Sequence, residues 1–216
     1  MTQIDTLTDV LKSRYSCRAF RPDPVPDDKI SQIVAAARHA PSWCNAQPWQ
    51  VAITKGDATD RFRNALSAQV DAGTPPKPDL DWPTSYTGVY NDRRRTCGYQ
   101  LYEAAGIARS DVERRQAQMR RNYALFDVAI VSTPAELGAY GAMDSGGFVT
   151  AFTLAATALG VATIAQAAIA AYAPTVREHF GIADTRLILC AISFGYPDAD
   201  AAVNQFRTAR ASPSDI

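Results

Sequence analysis

The arginines and hydroxyls of this chain carry its most pointed chemistry. In the run Arg14-Tyr15-Ser16-Cys17-Arg18, two guanidiniums flank a hydroxyl at alternate positions. In extended chain that spacing turns all three to one side. A planar donor fork on each arginine, with the short hydrogen bond of a serine between them, suits a phosphate. The pattern equally suits a solvated surface, because arginine far outnumbers lysine throughout the sequence. A second basic cluster, with Arg207, Thr208 and Arg210, stands close to the C-terminus and is open to the same two readings. Sequence separation leaves undecided whether the two clusters meet on one anion.

A third polar group occupies the loop from Ala40 to Trp49, APSWCNAQPW. Ser42, Asn45 and Gln47 offer a hydroxyl and two amides between prolines that restrict the backbone, an arrangement suited to the edge of a planar ring. Cys44 is read as an ordinary thiol, since no histidine lies in a matching motif. His39 and His179 are the two histidines and read as surface or helix-end residues, which leaves little material for histidine-centred acid–base catalysis. The sequence contains no Walker loop, no dinucleotide fingerprint, no zincin helix and no nucleophile elbow. The four cysteines (Cys17, Cys44, Cys97, Cys190) are scattered, with no C-x2-C pair, so neither a structural zinc site nor any other metal site is expected.

The elements that must position these groups follow from composition and periodicity. With 216 residues, 47% hydrophobic and 20% charged, the chain has length for one domain and apolar material for a core. Equal counts of 22 basic and 22 acidic residues give no whole-molecule field toward nucleic acid or an anionic membrane. The first residues lack a basic stretch before an apolar run, so no secretory signal is expected, and the chain is placed in the cytoplasm with free thiols. A short helix is expected from about 5 to 14, followed by an extended proline-rich stretch. Asp27 is expected to cap a helix carrying Ile30, Ile33, Val34 and Ala37, which Pro41 ends. QVAIT reads as a strand, and a helix from about 57 shows Phe62, Leu66 and Val70 on one face.

After a proline-rich loop, residues 88–105 and 110–124 read as two helices, the second a charged and exposed cover. Residues 127–133 read as a buried strand, 174–180 as a short helix, and RLILCAISFGYP as a final buried strand. Residues 145–176 carry no charge, yet their Ala, Thr and Gly content gives little drive toward lipid, so they are read as a fully buried helix over 144–159 and an extended segment. The tail from 198 to 216 is polar and is not expected to pack by itself. Strands apolar on both faces and separated by helices imply a sheet covered on each side, in the α/β or α+β class.

Taken together these segments resemble the FMN-dependent nitroreductase family. The resemblance rests on R-x-S-x-R-x-F at Arg14 to Phe20, on A-P-S-x-x-N-x-Q-P-W at Ala40 to Trp49, and on D-x-G at Asp144 to Gly146. It continues with A-L-G-x-x-T at Ala158 to Thr163, V-R-E-x-x-G-I at Val176 to Ile182 and N-x-F-R-T-x-R at Asn204 to Arg210, so it spans nearly the whole chain. It implies a single α+β domain over 1–216: a sandwich with a mostly antiparallel sheet flanked by helices, built as an intertwined homodimer whose tail reaches the partner. FMN would lie at the subunit interface.

By position, the resemblance assigns Arg14, Tyr15, Ser16, Arg18 and Arg210, with Arg207, to the phosphate and ribityl end. Pro41, Ser42, Trp43, Cys44, Asn45 and Gln47 would line the cofactor from the other subunit, and Ile164, Ala165, Gln166, Ala167 and Ala168 would meet the flavin ring. The implied reaction is ping-pong transfer from NAD(P)H to a nitroaromatic compound. A quinone or flavin reductase, a reductive dehalogenase and a non-catalytic flavin-binding or interaction module are the alternatives. The cofactor carries the redox chemistry, so no catalytic acid or base is assigned. Trp43 and Cys44 depart from the small residues common at those positions, and a bulky indole there would reshape the pocket. The inserts at 74–87 and 90–123 fall where the family builds its substrate cover. With Trp43, their Trp82, Tyr86, Tyr90, Tyr99 and Tyr123, and also Arg93, are the candidate substrate contacts, suited to flat, electron-poor rings.

Overall fold

Alternation along one strand explains the layered build. The computed structural model describes residues 2–215. In β2 (Asp127–Pro134), Val128 and Ile130 enter one hydrophobic cluster while Ala129 and Val131 enter another. Successive side chains point to opposite faces, so a strand buried on both faces must be covered twice. On one side α3 (Asp57–Asp71) brings Phe62 and Leu66, and α7 (Ala173–Phe180) brings Val176. On the other, α2 (Asp27–Ala37) brings Ile30, Ile33 and Ala37, and α6 (Gly138–Ala158) brings Phe148, Phe152 and Ala156. The sheet runs β1-β2-β4-β3 and is antiparallel throughout, with β1 at Gln50–Thr54, β3 at Ala162–Gln166 and β4 at Arg186–Gly195. This settles the class as α+β.

The remaining helices are α1 (Gln3–Ser13), α4 (Gly88–Ala104) and α5 (Val112–Arg120), and none of them buries a residue. Thr2 and Asp5 close a reciprocal cap at the start of α1.

Three sequence expectations need correction. Asp27 is the first residue of α2 rather than its cap. Pro26 precedes it with no side-chain cap, and the Asp27 carboxylate pairs with Lys55 instead. The uncharged helix begins at Gly138 and is buried on one face only, because Tyr140, Met143, Gly146, Gly147 and Thr150 look outward. Gly141 lets its first turn lie against β2, since a Cβ there would stand 2.7 Å from Thr133 Oγ1. Finally, the tail does pack on its own chain as far as Val203 and Asn204, both buried.

Candidate functional site

The segment after α1 continues the sheet as a short extra edge. Ser16 bridges Thr163 of β3 in parallel register, and the Cys17 amide donates to the Thr163 carbonyl at 3.0 Å. Cys17 turns inward and is fully buried. Further along, Phe20 bridges Pro197, and the Asp198 amide donates to the Ala19 carbonyl at 3.1 Å. This backbone ladder brings the C-terminal segment alongside the first arginine pair.

One buried side chain completes the join. Asn204, 3% exposed, accepts through Oδ1 from the amides of Arg18 (2.8 Å) and Ala19 (3.3 Å). Its Nδ2 donates to the carbonyls of Ala19 (2.7 Å) and Asp198 (2.9 Å). Both ends of the amide are therefore satisfied, the condition for burying it without penalty. The chain then turns outward with Phe206 beneath the Arg18 guanidinium and Arg207 stacked 3.8 Å over the Tyr15 ring.

The two arginine clusters consequently face one cleft of about 590 Å³. Arg14, Tyr15, Ser16 and Arg18 line it from one side, Arg207, Thr208 and Arg210 from the other, with Lys12 at the rim and Cys97 of α4 closing it. Five cations border this space, and among the described residues none of them is paired with a carboxylate. Burial lowers the pKa of Arg14, and the positive charge of Arg210 pushes the same way. Burial lowers that of Arg18 as well. Partly desolvated like charges facing each other are costly unless an anion neutralises them.

Arg18 also borders a second, smaller cleft of about 300 Å³. Ile164 and Gln166 of β3, Gln118 of α5, Arg121, and the stacked rings of Phe20 and Phe126 line it. Gln166 is held at both ends, donating to the Asn122 carbonyl at 3.0 Å and accepting from Ser193 Oγ at 2.8 Å. A single guanidinium thus joins the cationic cleft to a smaller, polar one. Ala165 and Ala167 are exposed and Ala168 is half-buried, and none of the three lines either cleft.

The loop from Pro41 to Gln47 lies elsewhere, against the start of α6, and lines neither cleft of its own chain. Three of its residues take left-handed backbone without being glycine: Cys44 (φ 50°), Asn45 (φ 56°) and Gln47 (φ 47°). The loop is stitched by Ser42 Oγ, which accepts from the Gln47 amide at 3.0 Å, and by Asp144 Oδ2, which accepts from the Trp43 amide at 3.0 Å.

Residues 11–196 match the Nitroreductase family. The chain belongs to that family. It is 39% identical to nitroreductase NfnB of Mycolicibacterium smegmatis over 95% of this chain and 89% of that protein. It is also 29% identical to a 4-nitrobenzoate reductase of Pseudomonas putida, over 95% and 92%. The crystal structure of the FMN-dependent nitroreductase NfnB from Mycobacterium smegmatis in complex with NADPH superposes with a TM-score of 0.92 at 36% identity, covering 99% of this chain and 97% of that one.

Within this nitroreductase fold the candidate substrate aromatics are spread out. Trp82, Tyr86, Tyr90 and Tyr99 are exposed on the insert and α4, and Tyr123 packs edge-on against Tyr172 at 5.7 Å. Arg94 and Arg109 sit over Tyr86 and Tyr99, at 5.4 and 3.8 Å, while Arg93 is exposed. None of these side chains lines the two clefts. Gln118, Arg121, Cys97 and Asn204 are not among the site residues expected from sequence. Of these only Asn204 carried a signal, as the first residue of the N-x-F-R-T-x-R motif. Among the described residues no three His, Cys, Asp or Glu side chains gather as a metal site, and no helix is long and apolar enough to cross a membrane. Burial pushes the Cys190 thiol up to about 12.

Proposed function

We propose that this chain is an FMN-dependent oxidoreductase that reduces nitroaromatic compounds, and related acceptors such as quinones, with NAD(P)H in a ping-pong cycle. The observation that carries the reading is the convergence of two arginine clusters, 189 or more residues apart in sequence, on one cleft that no carboxylate lines among the described residues. That donor set fits a phosphate monoester with a polyol chain: guanidinium forks for the phosphate, and the hydroxyls of Ser16 and Thr208 for neighbouring oxygens. Arg14, Ser16, Arg18, Arg207 and Arg210 hold the phosphate end. Gln118 and Arg121 offer hydrogen bonds to the polar edge of a ring seated in the adjoining cleft.

When bound, FMN supplies the transfer of reducing equivalents from nicotinamide to acceptor, chemistry that no side chain here provides. The protein's residues bind, orient and exclude water. Pro41, Ser42, Trp43, Cys44, Asn45 and Gln47 reach that site only from a second copy. The outward apolar faces of α1 and α6, with Leu7, Val10, Ala151 and Leu154 along one groove, support an intertwined homodimer. In that assembly the single domain of 1–216 acts in the cytoplasm, and the end of its tail, past Arg210, extends toward the partner subunit.

The test is the visible spectrum of the purified protein, taken anaerobically before and after NADPH or NADH and again after a nitroarene. Flavin absorbance that bleaches with the nicotinamide and returns with the nitroarene supports the reading. Protein that stays colourless and cannot be reconstituted with FMN overturns it.

A further inference from the structure

Two arginines of the cationic cleft are held in the same way, each by a ring from the other's segment. Arg207 lies 3.8 Å over the Tyr15 ring and Arg18 lies 5.4 Å over the Phe206 ring, both within reach of cation–π attraction. Burial raises the Tyr15 phenol above its ordinary value, so its contact is that of a neutral ring with a cation. Both arginines also spend Nη1 on main chain. Arg18 donates to the Ser16 carbonyl at 2.9 Å, and Arg207 to the carbonyls of Asn204 (2.7 Å) and Phe206 (2.9 Å). Among the described residues, Nε and Nη2 of the two make no hydrogen bond. That edge is the fork of parallel donors that a guanidinium offers to a phosphate. Arg210 shows the alternative. Stacked on no ring among the described residues, it turns Nη1 back on Thr208 Oγ1 (2.7 Å) and on the carbonyls of Thr208 (3.0 Å) and Ala209 (3.2 Å).

We infer that Tyr15 and Phe206 are positioning residues that set Arg207 and Arg18 for the anion, each acting through the arginine it carries. Both rings line the cleft together with the arginines they hold. Five cations around one space repel one another, and unsupported side chains lower that repulsion by turning out into solvent. An incoming anion would then have to immobilise each of them, a cost that preset side chains avoid. A carboxylate could also hold an arginine in place, but only by occupying the fork itself. A ring holds the guanidinium by its face and leaves the edge free. The exchange is mutual, so Asn204 joins the two segments by main chain and the rings join them by side chain. This rests on the proposed function, which takes the anion to be the phosphate of FMN. Tyr15, which the resemblance places at the cofactor, then serves it through Arg207.

The experiment is a double-mutant cycle on the dissociation constant of FMN, measured by fluorescence titration of the full-length protein. Tyr15→Leu keeps the bulk and removes the ring. It should weaken FMN binding about 2- to 12-fold, the cost of immobilising one long side chain. In an Arg207→Leu background the same change should have no further effect, because no guanidinium is left to position. Tyr15→Phe keeps the ring without the hydroxyl and should restore the wild-type affinity. Phe206→Leu, alone and in an Arg18→Leu background, repeats the cycle on the second pair. Its effect should be the smaller, since that guanidinium stands 5.4 Å from its ring against 3.8 Å.

If Tyr15→Leu weakens FMN binding equally with and without Arg207, the tyrosine acts on the ligand or the fold directly, and the positioning role is overturned. Unchanged affinity in Tyr15→Leu overturns it as well. A Tyr15→Phe variant as weak as Tyr15→Leu assigns the effect to the hydroxyl and overturns the role of the ring. Should Tyr15→Leu fail to fold, the Phe206 cycle decides by the same criteria. Each of these outcomes leaves the proposed function standing, since the wild type still takes FMN. A wild type that never takes FMN overturns the proposed function, and the positioning role with it.

Discussion

The cationic cleft and the loop at 41–47 are built on opposite plans. The cleft is assembled by one chain: its arginines hang from a backbone ladder along β3 and from Asn204, whose four hydrogen bonds all go to main chain. The loop has no strand pairing, buries none of its residues from 41 to 47, and hangs on single hydrogen bonds from Asp144 and Ser42. A phosphate needs fixed charges, and rigid main chain fixes them. Under the proposed function the loop meets a second copy and a variable acceptor, a task that needs shape, which a strained loop with few attachments provides. Damage to the cleft should therefore cost stability and cofactor together, whereas damage to the loop should change recognition at little cost in stability.

The largest effect should come from the cleft's keystone. Asn204→Ala removes a donor group and an acceptor from a buried site and strands the amides of Arg18 and Ala19, at about 1–3 kcal/mol for each group left unsatisfied. A loss of about 3 kcal/mol in urea unfolding is expected, with FMN content falling in parallel. A variant that lost FMN but unfolded at the wild-type midpoint would show that the clamp does not support the fold.

Next comes Arg14→Ala, which removes one charged donor without touching the ladder. Charged hydrogen bonds contribute about 1.5–3 kcal/mol, so FMN should bind roughly 10- to 150-fold more weakly, measured by fluorescence titration, with stability of the apoprotein nearly unchanged. Because Arg14 and Arg210 repel each other in the free cleft, the apoprotein loses nothing electrostatically when Arg14 is removed. Undiminished flavin content would remove Arg14 from the phosphate site.

How much of this contrast was legible in the sequence follows from where the information lies. Periodicity placed the face of Phe62, Leu66 and Val70, because that pattern is local and repeats at the period of its helix, while QVAIT was legible as a short apolar run. The strand β3 read only as extended chain, since ATIAQ continues the alanine-rich composition of α6 and shows no alternation of its own. The uncharged face of α6 was expected to be buried within the chain, but lack of charge marks a surface to be covered, without saying by what.

Within the site, the arginines stood out by residue type. Their meeting depends on Asn204 and Arg18, 186 residues apart, and the tie between Trp43 and Asp144 spans 101. Contacts of that range leave no local trace. Gln118 and Arg121 were hidden inside a helix and turn whose charge pattern reads as solvated surface.

The loop side of the comparison predicts a smaller change. Cys44 is exposed and holds φ at 50°. Cys44→Gly relieves left-handed strain of about 1–2 kcal/mol but adds unfolded-chain entropy of about 0.5–1 kcal/mol. The net should be a shift of about 0–1.5 kcal/mol toward stability, seen as an unchanged or slightly raised thermal midpoint. A loss above 1 kcal/mol would mean that the loop is anchored by its side chains, as the cleft is, and the contrast between the two would fail.

The smallest effect lies in a control away from both regions. Asp127 begins β2 and is 7% exposed as a residue, its Oδ1 accepting weakly from the Gly56 amide at 3.4 Å and its Oδ2 without a partner among the described residues. Burial raises its pKa above the model-peptide value of 3.8, against the opposing pull of the Gly56 amide, Lys55 and Arg63. The folded state thus binds the proton more tightly than the unfolded one. The stability from this site is fully present below about pH 3.8 and is lost as pH rises through the raised folded value. Asp127→Asn removes that dependence, so the variant should match or slightly exceed the wild type at neutral pH and gain nothing relative to it in acid. Urea unfolding at several pH values, with FMN affinity unchanged throughout, checks this. Were Asp127→Asn, which removes a negative charge, to raise FMN affinity, the field of the cleft would extend to the start of β2, and the separation of a rigid anion site from the rest of the fold would be wrong.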